Sequence, residues 1–202
     1  MGFLINCKDL PDYPEQYKLI INEIHASGLK TVFLDGGTLL GAIREGKFID
    51  HDKDTDVGCY YSDFKVWKKD GGMTKCVESL RKKGYSPELN NEQTLKFRRY
   101  LNGKRYKLDI FAFVRAEGYY WHKGFGGVMT YPLECLDTLV PYKFYEEDML
   151  IPNEVEKFLV NTYGPNWRVP NLAFKGLTDY TNLHTLQEMQ DLLNKYNQRK
   201  QE

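Results

Sequence analysis

Carboxylates at alternate positions are the most concentrated chemical feature of the sequence. The segment FIDHDKDTDVGCYY carries Asp50, Asp52, Asp54 and Asp56 at every second residue. Alternate side chains of an extended strand point to the same face of a sheet. Carboxylates held together on one face repel one another and raise each other's pKa unless a cation neutralises them. The spacing therefore predicts that Asp52, Asp54 and Asp56 share a face and bind a divalent cation.

A further acid, Asp109, lies in the apolar segment KLDIFAF. A lone acid in such a strand is costly unless it is paired or binds metal. If this strand lies beside the acidic one, Asp109 converges with Asp54 and Asp56. Mg²⁺ is the expected ion, with Mn²⁺ as an alternative, because magnesium prefers a few carboxylates together with substrate phosphates.

A predicted phosphate site precedes the acids. The segment KTVFLDGG indicates a buried strand that stops at Gly36 and Gly37, and TLLGAIRE indicates a short helix that begins at Thr38. Glycine lets a phosphate approach the backbone N–H groups at the positive end of a helix, and Thr38 adds a hydroxyl donor. Turns of this type are also common for purely structural reasons, so both interpretations stay open here.

Two other interpretations of the acidic segment compete with a magnesium site. A calcium-binding EF-hand loop starting at Asp52 is excluded, because Val57 stands at the obligatory glycine position and Asp63 at the twelfth. The second alternative is a polar turn whose acids are solvated or paired with Arg44, Lys47 and Lys53.

The surrounding elements alternate between helices and strands, which predicts an α/β (α+β) fold with a mixed sheet flanked by helices. Alternating runs around Asn102-Gly103 predict a hairpin, in which Arg98 and Arg99 lie on opposite faces. Residues 118–151 read as aromatic and irregular. We expect a domain over residues 1–180 and an amphipathic helix over 181–202 that packs on it.

Two further predictions concern a helix start and an aromatic segment. Asn153 and Glu156 are predicted to form a capping box at the start of a helix. An aromatic segment suits either a choline cation or sugar ring, or simple core packing, and contains Tyr119, Tyr120, Trp121 and His122.

Composition limits the partners. Lys plus Arg equals Asp plus Glu at 28 each, which gives no reason to expect nucleic-acid binding. No apolar stretch is long enough to span a membrane, and the four cysteines are far apart, which favours a reducing compartment. We expect a soluble cytoplasmic protein, or one peripheral to a membrane.

The segment DGGTLLGAIREGKFIDHDKDTDVG resembles the signature of the LicD family of fukutin-type phosphotransferases, which in turn is similar to the nucleotidyltransferase fold. YKLDIF resembles the family's later Asp-containing strand, and IPNEVEKFLVNTYGPNWRVP resembles its closing segment. The resemblance covers residues 30–170 of the sequence. His51 stands where many members have Trp, and Lys53 where many have Asp. The residues that match the first block are Gly37, Thr38, Leu39, Leu40, Gly41, Arg44, Ile49, Asp52, Asp54 and Asp56.

The resemblance implies Mg-dependent transfer of a phospho-alcohol, phosphocholine or a polyol phosphate such as ribitol phosphate, from a CDP-activated donor. The acceptor is a sugar hydroxyl of a glycan, including lipid-linked or cell-surface sugars. Two alternatives stay open, namely transfer of a nucleoside monophosphate to a small molecule and a non-catalytic nucleotide-binding module.

The resemblance also implies roles for individual residues. Asp54, Asp56 and Asp109 would hold magnesium. Asp109 or Asp52 would act as general base for the acceptor hydroxyl. The residues assigned to the phosphates are Gly36, Gly37, Thr38 and Arg44, of which Arg44 either reaches a phosphate or braces the acids.

Overall fold

The computed structural model of the chain describes residue 10 and residues 12–116, 118–124, 127–174 and 179–191. Its described strands form a mixed sheet of ten strands, flanked by helices, so the predicted fold class is confirmed. The helices are α1 (Tyr13–Ala26), α2 (Gly36–Arg44), α3 (Tyr61–Lys69), α4 (Gly72–Lys82), α5 (Leu133–Leu136) and α6 (Val155–Tyr163). The strands are β1 (Phe33–Leu34), β2 (Thr55–Tyr60), β3 (Ser86–Asn91), β4 (Thr94–Leu101), β5 (Lys104–Ala116), β6 (Tyr119–Gly124), β7 (Gly127–Pro132), β8 (Leu139–Phe144), β9 (Glu147–Pro152) and β10 (Leu183–His184).

The chain divides into two compact units. The N-terminal unit comprises Met1–Ala112 and Pro141–Ile151, and the C-terminal unit comprises Phe113–Val140 and Pro152–Glu202. All the acids predicted to bind metal belong to the N-terminal unit. Residues 186–191 are helical, and the rest of the predicted terminal helix lies outside the described residues.

In the N-terminal unit, β2 is a central strand with β1 on one side and β5 on the other. β1 runs antiparallel to β2, with Phe33 opposite Gly58, and parallel to β9, with Phe33 opposite Leu150. Val57 and Cys59 of β2 are fully buried. Because a central strand has hydrogen-bonding partners on both sides, the acids next to β2 are attached to the most constrained part of this unit.

The hairpin predicted at Asn102-Gly103 is confirmed by β4 and β5, which pair antiparallel from Thr94–Phe111 to Leu101–Lys104. Asn102 and Gly103 both have positive φ, 51° and 74°, the backbone that a two-residue turn of this kind requires. The turn therefore fixes which residues of the two strands face each other.

The helix α1 packs its apolar stripe on this sheet and ends at Ala26. Its buried residues recur at helical spacing: Tyr13, Tyr17, Ile20, Ile21 and Ile24.

An aromatic cluster of the same unit anchors the segment that leads to the acids. The Phe48 ring lies 5.0 Å from the Tyr13 ring and 4.9 Å from the Tyr145 ring, and the Phe48 N–H donates to the Tyr145 hydroxyl at 3.2 Å. The hydroxyls of Tyr13 and Thr55 lie 3.0 Å apart. The segment between Phe48 and Thr55 is thus held at both ends.

The prediction that residues 118–151 are irregular is wrong. Most of the described residues in that range belong to β6, β7, β8 and the first part of β9, and β6 pairs with β7 from Tyr119–Pro132 to Gly124–Gly127. Aromatic residues occupy both faces of β6, since Tyr120 is buried and Trp121 is partly exposed. The expected alternation of apolar and polar residues is therefore absent from the sequence even though the strand is present.

The capping box predicted at Asn153 and Glu156 is also wrong. Glu154 caps α6 through its backbone, with no side-chain cap. The Glu156 carboxylate instead accepts hydrogen bonds from the Trp167 indole at 3.2 Å and from the Arg168 guanidinium. The helix begins one residue later than predicted, so Glu156 is its second residue and not the third, from which a capping-box side chain reaches back.

Side chains of the aromatic segment contribute to the core of the C-terminal unit. His122 is buried, with its ring 4.5 Å from the Phe113 ring and 6.0 Å from the Tyr131 ring. Tyr120 is buried and donates its hydroxyl to Asp137 at 3.0 Å. For these two residues, core packing is the role that the structure shows.

Two general properties of the chain follow from the same structure. Cys59, Cys76 and Cys135 are buried free thiols, and Cys7 lies outside the described residues. None of the described helices has the length and apolar composition needed to cross a lipid bilayer.

Burial of His122 should make one contribution to stability that is lost in mild acid. Burial lowers the pKa of His122 to about 4, so the unfolded chain takes up a proton below about pH 6.5 while the folded chain does not. The contribution of His122 to the free energy of unfolding should therefore fall as the pH drops from about 6.5 to 4, by up to about 3 kcal/mol. Urea unfolding of wild type and His122→Phe across this range measures the difference.

The variant His51→Gln is the matched control, because His51 is exposed. It should follow the wild-type pH dependence, whereas His122→Phe should gain stability relative to wild type as the pH drops through this range. Identical pH dependence in wild type and His122→Phe would contradict the assignment.

Candidate metal and phosphate site

The structure brings together the three acids that the sequence predicts as metal ligands. Asp54 directly precedes β2, Asp56 lies within β2, and Asp109 lies in the neighbouring strand β5. One carboxylate oxygen from each lies within 4.8 Å of the others. Oxygen donors at this spacing from separate elements suit a hard divalent cation.

Asp52 and Asp50 are placed differently from these three. β2 begins at Thr55, so Asp52 lies in the preceding turn, where its Oδ1 accepts the Lys53 N–H at 2.8 Å. Its Oδ2 is buried and has no hydrogen-bond partner. Asp50 is exposed and pairs with Lys47 at 2.7 Å. The expectation of one continuous acidic strand face is therefore corrected, because the turn separates Asp52 from the strand.

Gly36 and Gly37 allow the acids to approach the start of α2. A Cβ at Gly36 would lie 2.7 Å from Asp56 Oδ2, and one at Gly37 would lie 2.4 Å from Asp52 Oδ2. Gly36 also has φ +52°, which favours glycine. Both glycines therefore face carboxylates of the site, and their contact with a phosphate stays a prediction.

Thr38 is fully buried, and its hydroxyl accepts the Asp56 N–H at 2.9 Å. This bond ties α2 to β2 at the position of a metal-ligand candidate. In this structure the Thr38 hydroxyl therefore positions Asp56, and its predicted contact with a phosphate stays untested.

Asp35 is a site acid that the sequence analysis missed. It is buried at the N-cap position of α2, its N–H donates to the Asp56 carbonyl at 3.2 Å, and its Oδ1 has no hydrogen-bond partner. The available signal was an acid placed directly between an apolar run and two glycines, where a buried strand gives way to a helix.

Burial and mutual repulsion perturb these carboxyls. The pKa of Asp56 is raised well above its usual range, first by burial and then by the charges of Asp54, Asp109, Asp52 and Asp35. Burial raises the pKa of Asp35 to about 7, and burial together with Asp54 raises that of Asp52 to about 7. The carboxylates of the site thus repel one another, and a divalent cation would reduce that repulsion.

Three cations from the hairpin face the same acids. Arg98 Nη1 binds Asp109 Oδ1, Lys96 Nζ lies 3.5 Å from Asp109 Oδ2, and Lys107 Nζ binds Asp54 Oδ2. Arg99 points elsewhere and donates to Gln16 at 2.9 Å. The prediction that Arg98 and Arg99 lie on opposite faces is confirmed, while Lys96 and Lys107 were not anticipated.

Arg44 lies at the C-terminal end of α2 and donates to Glu45, from Nε at 3.1 Å and from Nη2 at 2.6 Å. The role predicted for Arg44, contact with a phosphate or bracing of the acids, stays a prediction.

The donor set fits magnesium or manganese. Three carboxylates within reach of one ion match the ligands of a hard cation, and the unpartnered oxygens of Asp52 and Asp35 show that the acid set is incompletely satisfied by protein groups. Of the described residues, Asp54, Asp56 and Asp109 are those that would hold the ion.

Comparison with known proteins agrees with this geometry. A family model described as LicD/FKTN/FKRP, nucleotidyltransferase domain, matches residues 30–154. The match covers more than half of the chain and contains every residue of the site described above, so the chain belongs to this family.

Two curated relatives are ribitol 5-phosphate transferases named FKRP, from Homo sapiens and from Mus musculus. Each is 27% identical over 180 residues, which is 81% of this chain and 34% of the relative. The chain thus spans about a third of the length of these relatives.

The hydrogen bond between the Thr38 hydroxyl and the Asp56 N–H should contribute measurably to stability and to protection of the Asp56 amide. Thr38→Val keeps the shape but leaves the Asp56 N–H without an acceptor, which should lower the free energy of unfolding by about 1 to 3 kcal/mol. Hydrogen exchange of the Asp56 amide, followed by NMR, should accelerate in Thr38→Val.

The matched control is Thr38→Ser, which keeps the hydroxyl and should keep the Asp56 amide protected. Equal protection of this amide in the Val and Ser variants would show that the hydroxyl does not hold β2.

Proposed function

We propose that this chain catalyses Mg²⁺-dependent transfer of a phospho-alcohol from a CDP-activated donor to a sugar hydroxyl of a glycan. The observation that supports it best is the convergence of Asp54, Asp56 and Asp109 within 4.8 Å in a chain of this family. A polyol phosphate as the cargo is supported by the relatives, whose name specifies ribitol 5-phosphate. Phosphocholine stays the alternative cargo.

In this proposal Asp54, Asp56 and Asp109 hold Mg²⁺ or Mn²⁺. The ion supplies positive charge beside the donor diphosphate and so stabilises the charge that develops on the departing nucleoside monophosphate. Thr38 holds Asp56 in place through its backbone. Gly36 and Gly37 supply backbone N–H groups at the positive end of α2, where phosphate oxygens are favoured. Arg44 is assigned to a phosphate or to bracing of the acids.

The acceptor hydroxyl must lose a proton during transfer, which requires a general base. Both oxygens of Asp109 contact cations, Arg98 at Oδ1 and Lys96 at Oδ2. Asp52 keeps one oxygen, Oδ2, without a hydrogen-bond partner, and its turn directly precedes Asp54. Asp52 is therefore the better candidate for the base, and Asp109 the better candidate for a ligand.

Loss of a metal ligand should remove activity without unfolding the protein. Asp54→Asn and Asp56→Asn keep the side-chain shape but remove a charged ligand, so turnover of a CDP-alcohol should fall by a factor of about 10² or more. Activity is measured with Mg²⁺ and CDP-ribitol or CDP-choline, and folding is checked by circular dichroism.

Asp50→Asn is the matched control, because Asp50 belongs to the same segment but is exposed and paired with Lys47. It should retain wild-type activity. Full activity in Asp54→Asn or Asp56→Asn would refute the proposed role of these acids.

Transfer of a nucleoside monophosphate is the second candidate function, and the family description as a nucleotidyltransferase domain favours it. The two reactions differ in the half of the donor that reaches the acceptor. We expect mass spectrometry of the acceptor to show addition of the phospho-alcohol and release of CMP. Addition of CMP to the acceptor would instead establish the second candidate.

A further inference from the structure

The cations of the hairpin form an ordered block beside the acids. In the register of β4 and β5, Lys96 pairs with Asp109 and Arg98 pairs with Lys107. Lys96 and Arg98 are two residues apart on β4, and Lys107 and Asp109 are two residues apart on β5. Alternation therefore places all four side chains on one face of the hairpin.

The block offsets the charge of the three candidate metal ligands. Lys96, Arg98 and Lys107 carry as many positive charges as Asp54, Asp56 and Asp109 carry negative charges. These cations are mostly enclosed, with side chains 24%, 17% and 16% exposed in that order. A divalent ion that binds Asp54 and Asp109 takes the carboxylates that these cations contact, and so leaves a group of cations with locally unpaired positive charge. Such a cluster attracts an anion. The repulsion between the divalent ion and the lysine and arginine side chains falls when these side chains contact that anion.

The three cations are not anchored equally. Arg98 also contacts the backbone carbonyls of Phe97 at 3.0 Å and Leu108 at 3.5 Å. Among the described contacts, the Lys107 ammonium binds Asp54 and the Lys96 ammonium lies near Asp109. A flexible lysine with one partner can exchange that partner more readily than an arginine held at several points.

We propose that Lys96 and Lys107 are exchangeable cations. Without metal they neutralise Asp109 and Asp54, and when a divalent ion takes these carboxylates they turn to the phosphate groups of the nucleoside diphosphate donor. Arg98 stays on Asp109 and keeps it oriented. This inference rests on the proposed function and adds to it a coupling, in which metal and phosphate each strengthen the binding of the other.

If a lysine only held an acid in place, its removal would weaken binding of Mg²⁺ alone. If it exchanges partners, its removal should strengthen binding of Mg²⁺ alone and reduce the effect of pyrophosphate on that binding. Lys107→Met removes the charge and keeps much of the apolar stem. Mg²⁺ alone should then bind several-fold more tightly, because a competing cation is gone. The tightening of Mg²⁺ binding by pyrophosphate should fall by about tenfold, the effect of one lost charge-assisted hydrogen bond. Lys96→Met should have the same two effects as Lys107→Met, namely tighter binding of Mg²⁺ alone and a smaller effect of pyrophosphate.

Isothermal titration calorimetry with Mg²⁺, in the absence and presence of saturating inorganic pyrophosphate, measures both quantities. A blank titration corrects for magnesium pyrophosphate formed in solution. Lys107→Arg should restore the coupling because it keeps the charge. Lys18→Met is the matched control, since it removes one lysine from an exposed ion pair with Glu146 and should leave both affinities unchanged.

Each outcome decides a separate question. If Lys107→Met weakens binding of Mg²⁺ alone, Lys107 braces Asp54 and the exchange is refuted. If the coupling by pyrophosphate is unchanged in Lys107→Met and Lys96→Met, the lysines do not bind the phosphate and the exchange is again refuted. If wild type binds no Mg²⁺ in either condition, the metal site of the proposed function itself fails.

Discussion

The cost of enclosing several carboxylates in one place is the constraint on which this structure depends. Asp35, Asp52, Asp54, Asp56 and Asp109 belong to different parts of the N-terminal unit, and their charges reach one another. Burial and repulsion both disfavour the charged forms, as the raised pKa values of Asp35, Asp52 and Asp56 indicate. A fold keeps such a cluster only if the rest of its interactions outweigh that cost.

The elements around the cluster meet this cost in distinct ways. Gly36 and Gly37 give the carboxylates of Asp56 and Asp52 room to approach the positive end of α2. Thr38 satisfies the Asp56 N–H, and the ring of Phe48 holds the segment that leads to Asp52. Each of these contacts fixes the position of an acid without removing its charge, so the acids stay available to a cation.

The hairpin supplies positive charges that pair with the acids. The same charges affect both the stability of the protein and its proposed binding of a metal. Lys96, Arg98 and Lys107 neutralise Asp54 and Asp109 in the protein alone, although they also compete with any metal for the same oxygens. The competition is useful if the cations have a second partner, and the diphosphate of the proposed donor is such a partner. The family match contains this hairpin together with the acidic segment, which fits a site assembled from both.

The sequence by itself determined which residues could do chemistry and several of the local elements of this protein. Residue types and short spacings predicted the acids at 52, 54, 56 and 109, the glycines before α2 and the turn at Asn102-Gly103, because these signals depend on neighbours in the chain. Only the tertiary structure decided that Asp52 lies in a turn, apart from Asp54 and Asp56. It also decided that the Thr38 hydroxyl accepts the Asp56 N–H, and that the site includes Asp35, Lys96 and Lys107. These facts depend on strand register and on contacts between segments far apart in sequence, which local patterns do not encode. The strands within 118–151 escaped prediction for a related reason, since aromatic side chains on both faces of β6 hide the period of two by which a strand is recognised.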